Sequence, residues 1–298
     1  MSRLALGSAQ FGLDYGITNR AGQVDEKEID AILALAAESG VDTIDTARLY
    51  GESEAVLGRR LPAESEFRIV TKTVKIGNLS PEYAVQQLHA GLAASLEALR
   101  RPSVYALLFH DPSDLTGSLG PVLWSALAKL KSAGVVEKVG VSAYEAVEVD
   151  RVLDRYPVDI VQLPFNAIDS RLVDGGQLER LAGAGVEVHA RSLFLQGLLL
   201  LPLDQIPPRF APVRSALEQL DAEFARRSLS RLEGLLAMTF HYSEITRFIV
   251  GVTSAGDLGA IVTAAEQVTT AGPMDVHLPP IDARYLNPAR WPELSSLD

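Results

Sequence analysis

The 298-residue chain contains no cysteine, which excludes disulfides, thiolate metal ligands and a cysteine nucleophile. Long apolar runs are missing as well. The most apolar stretch, "LFLQGLLLLPL" at 193–203, is interrupted by Gln196 and Pro202 and is far shorter than the ~20 residues that cross a bilayer. The opening "MSRLALGSAQFG" lacks the apolar core of a secretion signal, so a cytoplasmic setting is expected. Basic residues are in deficit: 27 Lys and Arg against 38 Asp and Glu give a formal charge of −11. That balance argues against nucleic acid or an anionic membrane as the main partner, and leaves room for a local basic pocket and a small anionic ligand. Several chemical signatures are absent too. "LGSAQFGLDYG" is not GxGxxG, no P-loop or HExxH occurs, and "GVSAY" around Ser142 lacks the last glycine of GxSxG. No metal site is expected.

What is present is an alternation. With 47% hydrophobic and 22% charged residues the composition is that of an ordinary globular protein. Short apolar or β-branched runs ("RLALGSA", "VDTIDTA", "FRIVTKT", "VYALLFH", "EKVGVSA", "DIVQLPFN", "VEVHARS", "RFIVGVTS") are separated by longer segments of helical period, such as "PEYAVQQLHAGLAASLEALR". Gly40, Gly134 and Gly185, each just ahead of a strand, fit C-terminal helix caps. Eight strands alternating with eight helices, without a compositional break, predict a single closed (β/α)8 TIM barrel over about residues 1–270. The competitor, an open doubly wound sheet, usually carries a glycine fingerprint after its first strand. Residues from about 271 to 298 are proline-rich and aperiodic. This C-terminal tail either packs around the barrel or walls the active site with Arg284, Tyr285 and Trp291.

In such a barrel the active site is built at the C-terminal ends of the strands. Those ends carry Asp45 with Tyr50 five residues on, Lys72, His110, Ser142, Gln162 with Asn166, and Ser192. Singly, each has a plain structural explanation: an Asp caps the next helix, a His is a satisfied core residue, a loop Tyr is half-buried. Lys72 inside "IVTKT" is harder to dismiss, because a buried strand tolerates an ammonium only beside an anion. Together, four titratable groups on three successive strand ends make chemical sense. A phenol exchanges protons poorly near neutral pH unless a cation stabilises its phenolate. Lys72 supplies that charge, Asp45 keeps Lys72 ionised, and His110 orients a substrate oxygen toward Tyr50. Such a group titrates as a coupled set. It protonates an oxygen on which negative charge develops, as on a carbonyl accepting hydride.

These residues lie in segments that resemble the aldo-keto reductases over roughly residues 4–268: "LGSAQFG", "IDTARLYGESEAVLG", "IVTKT", "LLFHDP", "KVGVSAY", "VQLPFN", "RSLFLQGLL" and "FIVGVTS". The resemblance implies a carbonyl reductase or alcohol dehydrogenase with the catalytic tetrad Asp45, Tyr50, Lys72 and His110. Its cofactor would be NADP(H), with NAD(H) as the alternative, held extended across the barrel mouth without a Rossmann fold. The same resemblance implies a set of cofactor contacts. Gly7 and Ser8 face the cofactor beside Asp45. Gln162 and Ser142 take the nicotinamide carboxamide. Ser192 and the backbone near Phe194 hold the pyrophosphate, and Gly251, Thr253, Ser254 and Asp257 hold the adenosine ribose and its phosphate. Arg191 replaces the aromatic residue that often stacks on the nicotinamide, and its planar guanidinium can stack in the same way.

Other departures bear on the cofactor. Ala143 stands where the family commonly has Asn, and Ala260-Ile261 replace a Glu-Asn pair. "GVTSAGDLGAI" contains no Lys or Arg to read a 2′-phosphate, and Asp257 is a like charge. Two other readings compete with a reductase. A Schiff-base aldolase using Lys72 needs that lysine neutral for part of its cycle, which Asp45 opposes. A nicotinamide-binding regulatory subunit with vestigial activity, as in the potassium-channel β subunits, shares the same residues. The substrate is expected to be a small carbonyl compound or sugar, since "GSAQFGLDYGI" resembles a bacterial branch associated with sugar metabolism. Tyr15, Phe11, Trp124 and Phe165 are candidate pocket residues.

Overall fold

The computed structural model describes residues 2–62, 64–268, 274, 276 and 278–297. Eight strands follow one another around the barrel: β1 (Leu4–Gly7), β2 (Thr43–Asp45), β3 (Arg68–Lys72), β4 (Val104–Phe109), β5 (Val136–Ser142), β6 (Ile160–Pro164), β7 (Glu187–Arg191) and β8 (Arg247–Gly251). All pairings are parallel, and β1 closes the barrel on β8 through Leu4 to Gly7 against Phe248 to Gly251. The predicted (β/α)8 barrel is therefore what forms. Its strands read as apolar runs rather than alternations because both faces are covered; β4 is buried at every position.

Local signals start and stop the helices. Pro81–Leu99 begins at Ser80, whose hydroxyl accepts the Tyr83 N–H, with Pro81 in the first turn. It buries the stripe Ala84, Leu88, Leu92, Ser95 and Leu99 against the strands. The three predicted cap glycines, Gly40, Gly134 and Gly185, have φ of 69°, 73° and 69°, the left-handed conformation that ends a helix. One helix escaped the sequence reading. Arg231–Phe240 lies between Ala211–Arg226 and β8, and Ser230 and Glu233 form a capping box at its start, the S-x-x-E signal that marks it.

The two ends of the barrel differ. Near the N-terminal ends of the strands, polar side chains fill the interior: the Glu187 carboxylate accepts from Tyr105 Oη at 2.7 Å and from Lys138 Nζ, and lies 2.7 Å from His189 Nε2. The C-terminal end is open. Of the tail, the described part packs outside the barrel. Trp291 Nε1 donates to Tyr285 O at 3.0 Å and its ring meets Phe210 edge-on at 5.0 Å. Arg284 pairs with Asp282 at 3.1 Å. None of Arg284, Tyr285 and Trp291 lines the central cavity, which favours the packing alternative. Residues 269–273, 275, 277 and 298 of the expected tail and its junction lie outside the described residues.

Candidate active site

A cavity of about 500 Å³ opens at the C-terminal mouth of the barrel, bordered by the ends of β1, β2, β6, β7 and β8 and the loops that follow them. This is within the size range of small-molecule sites. Lys72, the last residue of β3, lies just beneath it and is 1% exposed. Its ammonium is held by both Asp45 carboxylate oxygens at 2.8 Å and by Thr46 O at 2.9 Å, and reaches Tyr50 Oη at 3.4 Å. Burial lowers the Lys72 pKa and the Asp45 carboxylate opposes that shift. With three close oxygen acceptors the amine is an ammonium, which is why a strand buried on both faces carries a lysine.

Tyr50 reaches the cavity from the turn after β2, where its N–H bonds Ala47 O and its carbonyl accepts from Ser53 N, each at 3.0 Å. Two glycines set this turn against the segment after β1. A Cβ on Gly12 would lie 2.0 Å from Tyr50 O, and one on Gly51 would lie 2.2 Å from Gly12 O. Only residues without a side chain allow that approach. Buried hydroxyls complete the clamp: Ser53 Oγ lies 2.8 Å from Ser8 O and 3.1 Å from Thr46 Oγ1, and Ser8 Oγ donates to Asp45 O at 2.9 Å. Thr71 Oγ1 donates to Glu54 Oε1 at 2.6 Å, tying β3 to the helix Ser53–Arg60. Sequence reasoning singled out none of Gly12, Ser53, Thr46 and Glu54, although "YGESE" at 50–54 was the visible trace of Ser53 and Glu54.

Lys72 Nζ stands 4.9 Å from the centre of the Tyr50 ring, and the His110 ring meets that of Tyr50 edge-on at 6.2 Å. Burial, and next the Asp45 charge, push the Tyr50 pKa up. The phenol is therefore firmly protonated. With the phenol protonated, the Lys72 ammonium is drawn chiefly to Asp45, and at 3.4 Å it stands within reach of the phenol oxygen. Burial, and then the Lys72 charge, push the His110 pKa down from 6.5 to about 4. His110 is thus a neutral hydrogen-bonding group at neutral pH.

A stability effect follows from the His110 shift. Between pH 6.5 and about 4 the unfolded chain binds the proton and the folded one does not. Stability therefore falls as pH drops through that window. His110→Gln lacks this contribution, so urea unfolding from pH 7 to 4 should show the variant gaining on the wild type as pH falls. Parallel curves would refute the assignment.

Of the residues expected to hold a cofactor, Gly7, Ser8, Asp45, Gln162, Arg191, Ser192, Phe194, Gly251, Thr253 and Asp257 line the cavity. Ser142 and Ser254 do not. Ser142 is buried with Oγ 3.4 Å from Gln162 Oε1, and Ser254 Oγ accepts the Asp257 N–H at 3.0 Å. Gln162 Nε2 donates to Asp45 Oδ1 at 2.7 Å, a link between β6 and the buried ion pair that strand-end reading did not reveal. Ser192 has φ of 62° and opens a turn in which Leu195 and Gln196 are also left-handed, and Asn166 Nδ2 donates to Ser192 O at 3.3 Å. Arg191 lies over the Tyr144 ring at 3.8 Å and donates to Ala143 O at 3.2 Å. Tyr144, Gln10, Thr18, Asn19 and Gln196 complete the polar wall. Of the candidate pocket aromatics only Tyr15 is on it. Phe11 is fully buried, Trp124 packs on Tyr156 and Phe165 on Tyr242.

The turn after β8 is acidic. Asp257 Oδ2 accepts from Thr253 N at 3.1 Å and Thr253 Oγ1 at 2.9 Å, and the Glu28 carboxylate accepts the Ala255 N–H at 2.6 Å. The N–H groups that start the helix Ala255–Val268 therefore already face carboxylates.

The fold and site together define a class: a parallel (β/α)8 barrel with a phenol, an imidazole and a buried lysine–carboxylate pair at its C-terminal mouth. Sequence comparison narrows this, for the profile of the Aldo/keto reductase family matches residues 3–271. The chain belongs to that family. It is 31% identical over 138 residues to "Aldo-keto reductase" of Mycolicibacterium vanbaalenii, covering 44% of this chain and 46% of that protein. It is 28% identical over 159 residues to "D-arabinose 1-dehydrogenase" of Saccharomyces cerevisiae, covering 48% of this chain and 43% of that one. The chain thus spans about half the length of the curated relatives it matches. The fold is shared more widely. The holo form of aldo-keto reductase AKR11C1 from Bacillus halodurans superposes with a TM-score of 0.70 at 19% identity, over 92% of this chain and 89% of that one. The glycerol dehydrogenase AKR11B4 from Gluconobacter oxydans superposes with a TM-score of 0.67 at 19% identity, over 94% and 95%.

Proposed function

We propose that this protein reduces an aldehyde or ketone, or oxidises the corresponding alcohol, with a nicotinamide dinucleotide. The observation that carries the reading is the Tyr50 phenol on the cavity wall, 3.4 Å from an ammonium fixed by Asp45. The residues fit such a cofactor. Buried Gln10 Oε1 and His110 Nδ1 have no hydrogen-bond partner among the described residues, Gly251 keeps the wall open where a Cβ would meet the Gln10 amide at 2.7 Å, and Arg191 offers a cation. Gln162, Arg191, Ser192 and the backbone of 251–253 would hold the dinucleotide, which supplies hydride when bound. Tyr50 gives its proton to the substrate oxygen. Neutral His110 donates a hydrogen bond to that oxygen, and Lys72 stabilises the phenolate left behind. The wall of Tyr15, Thr18, Asn19, Tyr144 and Gln196 suits a hydroxylated substrate, in keeping with the sugar and polyol named for two of the similar proteins.

The acidic turn shifts our reading of the cofactor from NADP(H) toward NAD(H). A charge-assisted contact to the 2′-phosphate is worth about 1.5–3 kcal/mol, so lacking one weakens NADPH binding by roughly ten- to a hundredfold. Glu28 and Asp257 add repulsion. Titration of protein fluorescence with each dinucleotide, followed by an aldehyde and aldose screen, tests both points. NADH should bind at least as tightly as NADPH and be consumed with some aldehyde. Clear preference for NADPH would overturn the cofactor reading, and binding of neither would overturn the function.

A further inference from the structure

Arg191 is the one cationic side chain on the cavity wall among the described residues. Its recorded contacts are a π face and neutral oxygens: the Tyr144 ring at 3.8 Å, Ala143 O at 3.2 Å and Ser192 Oγ at 3.5 Å. No described ion pair includes it. The other charges close to Tyr50 are balanced or absent. The Lys72 ammonium and Asp45 carboxylate neutralise each other at 2.8 Å and His110 is uncharged above about pH 4; Asp257, on the wall at the turn after β8, has only Thr253 donors among the described residues. The Arg191 charge is also felt at the reacting groups, since it opposes protonation of both Lys72 and His110.

Building on the function proposed above, we infer that Arg191 sets the redox preference of the site. Its fixed charge makes the site bind the reduced, uncharged nicotinamide more tightly than the oxidised, cationic one. The chemistry supplies the reason. On carbonyl reduction the substrate oxygen would take the Tyr50 proton, and a dinucleotide that had supplied hydride to the carbonyl carbon would carry a unit positive charge on its nicotinamide. Once Tyr50 has regained its proton, that charge would lie in the cavity that Arg191 walls, where a like charge is weakly screened. The stack on Tyr144 and the bond to Ala143 O position the guanidinium at the cavity wall. The site would thereby favour uptake of reduced and release of oxidised cofactor, while the bound couple becomes a weaker reductant than the free one.

The test is the ratio of dissociation constants of the oxidised and reduced dinucleotide, measured by fluorescence titration on wild type, Arg191→Gln, Arg191→Met and Arg191→Lys. The wild type should favour the reduced form. Both neutral variants should lower the ratio by about tenfold or more, equivalent to about 30 mV in the potential of the bound two-electron couple. Arg191→Lys should keep most of it. If Arg191 only packs against Tyr144, both affinities shift together and the ratio stays constant, which overturns the inference. Tighter binding of the oxidised form by the wild type overturns it without any variant. Failure of the wild type to bind either form removes the functional reading, and this inference with it. Binding of both with a ratio indifferent to Arg191 removes the inference alone.

Discussion

Tyr50→Phe is expected to retain dinucleotide affinity while slowing carbonyl reduction by roughly 10²–10⁴-fold, the usual contribution of a positioned proton donor. The substitution removes one hydroxyl and keeps the ring. Little of the fold depends on that hydroxyl, because its 3.4 Å contact is the longest of the four made by Lys72 Nζ. The Gly12–Tyr50 and Gly51–Gly12 backbone contacts that hold the turn do not involve the side chain. Single-turnover rates with saturating reduced cofactor separate chemistry from product release. Retention of more than about a tenth of the wild-type rate, with chemistry limiting, would remove Tyr50 from the role of acid.

Lys72→Met should cost both stability and activity. It leaves the Asp45 carboxylate, 4% exposed, with the Gln162 amide at 2.7 Å in place of an ammonium. Orphaning one partner of a buried pair typically costs about 3–5 kcal/mol. The urea midpoint should fall accordingly at pH 7. The double variant Lys72→Met with Asp45→Asn should recover much of that loss, since no charge then remains buried, while reduction stays slow. A double variant no more stable than the single would show that the pair does not dominate the local energetics. The same lysine distinguishes a reductase from a Schiff-base aldolase. Three close oxygen acceptors hold it as an ammonium, so borohydride with a carbonyl substrate should trap no adduct at Lys72. Mass spectrometry finding one would favour the aldolase.

The turn after β8 and the wall around Arg191 carry the charge features of the cavity. Carboxylates from two helices face the N–H groups at the start of Ala255–Val268, and among the described residues Arg191 is the one arginine that faces the cavity. On the proposed function, both features would govern how charge on a dinucleotide is received.

The sequence by itself determined the barrel and marked the polar residues that stand at its strand ends. Eight apolar runs in alternation with helical segments leave few ways to bury both faces of each strand. Asp45, Lys72 and His110 could be read because a strand end is a local property, marked where apolar residues stop. Three things were decided only by the tertiary structure. The Tyr50 turn is set by Gly12 and Gly51 pressing backbone on backbone. The Glu28 carboxylate meets the Ala255 N–H across 227 residues of chain. Arg191 lies on Tyr144 rather than beside an acid. Pattern in the sequence reports which face of an element is buried. Which side chains meet across the mouth depends on the register with which eight strands close, and on loops whose course no periodicity encodes.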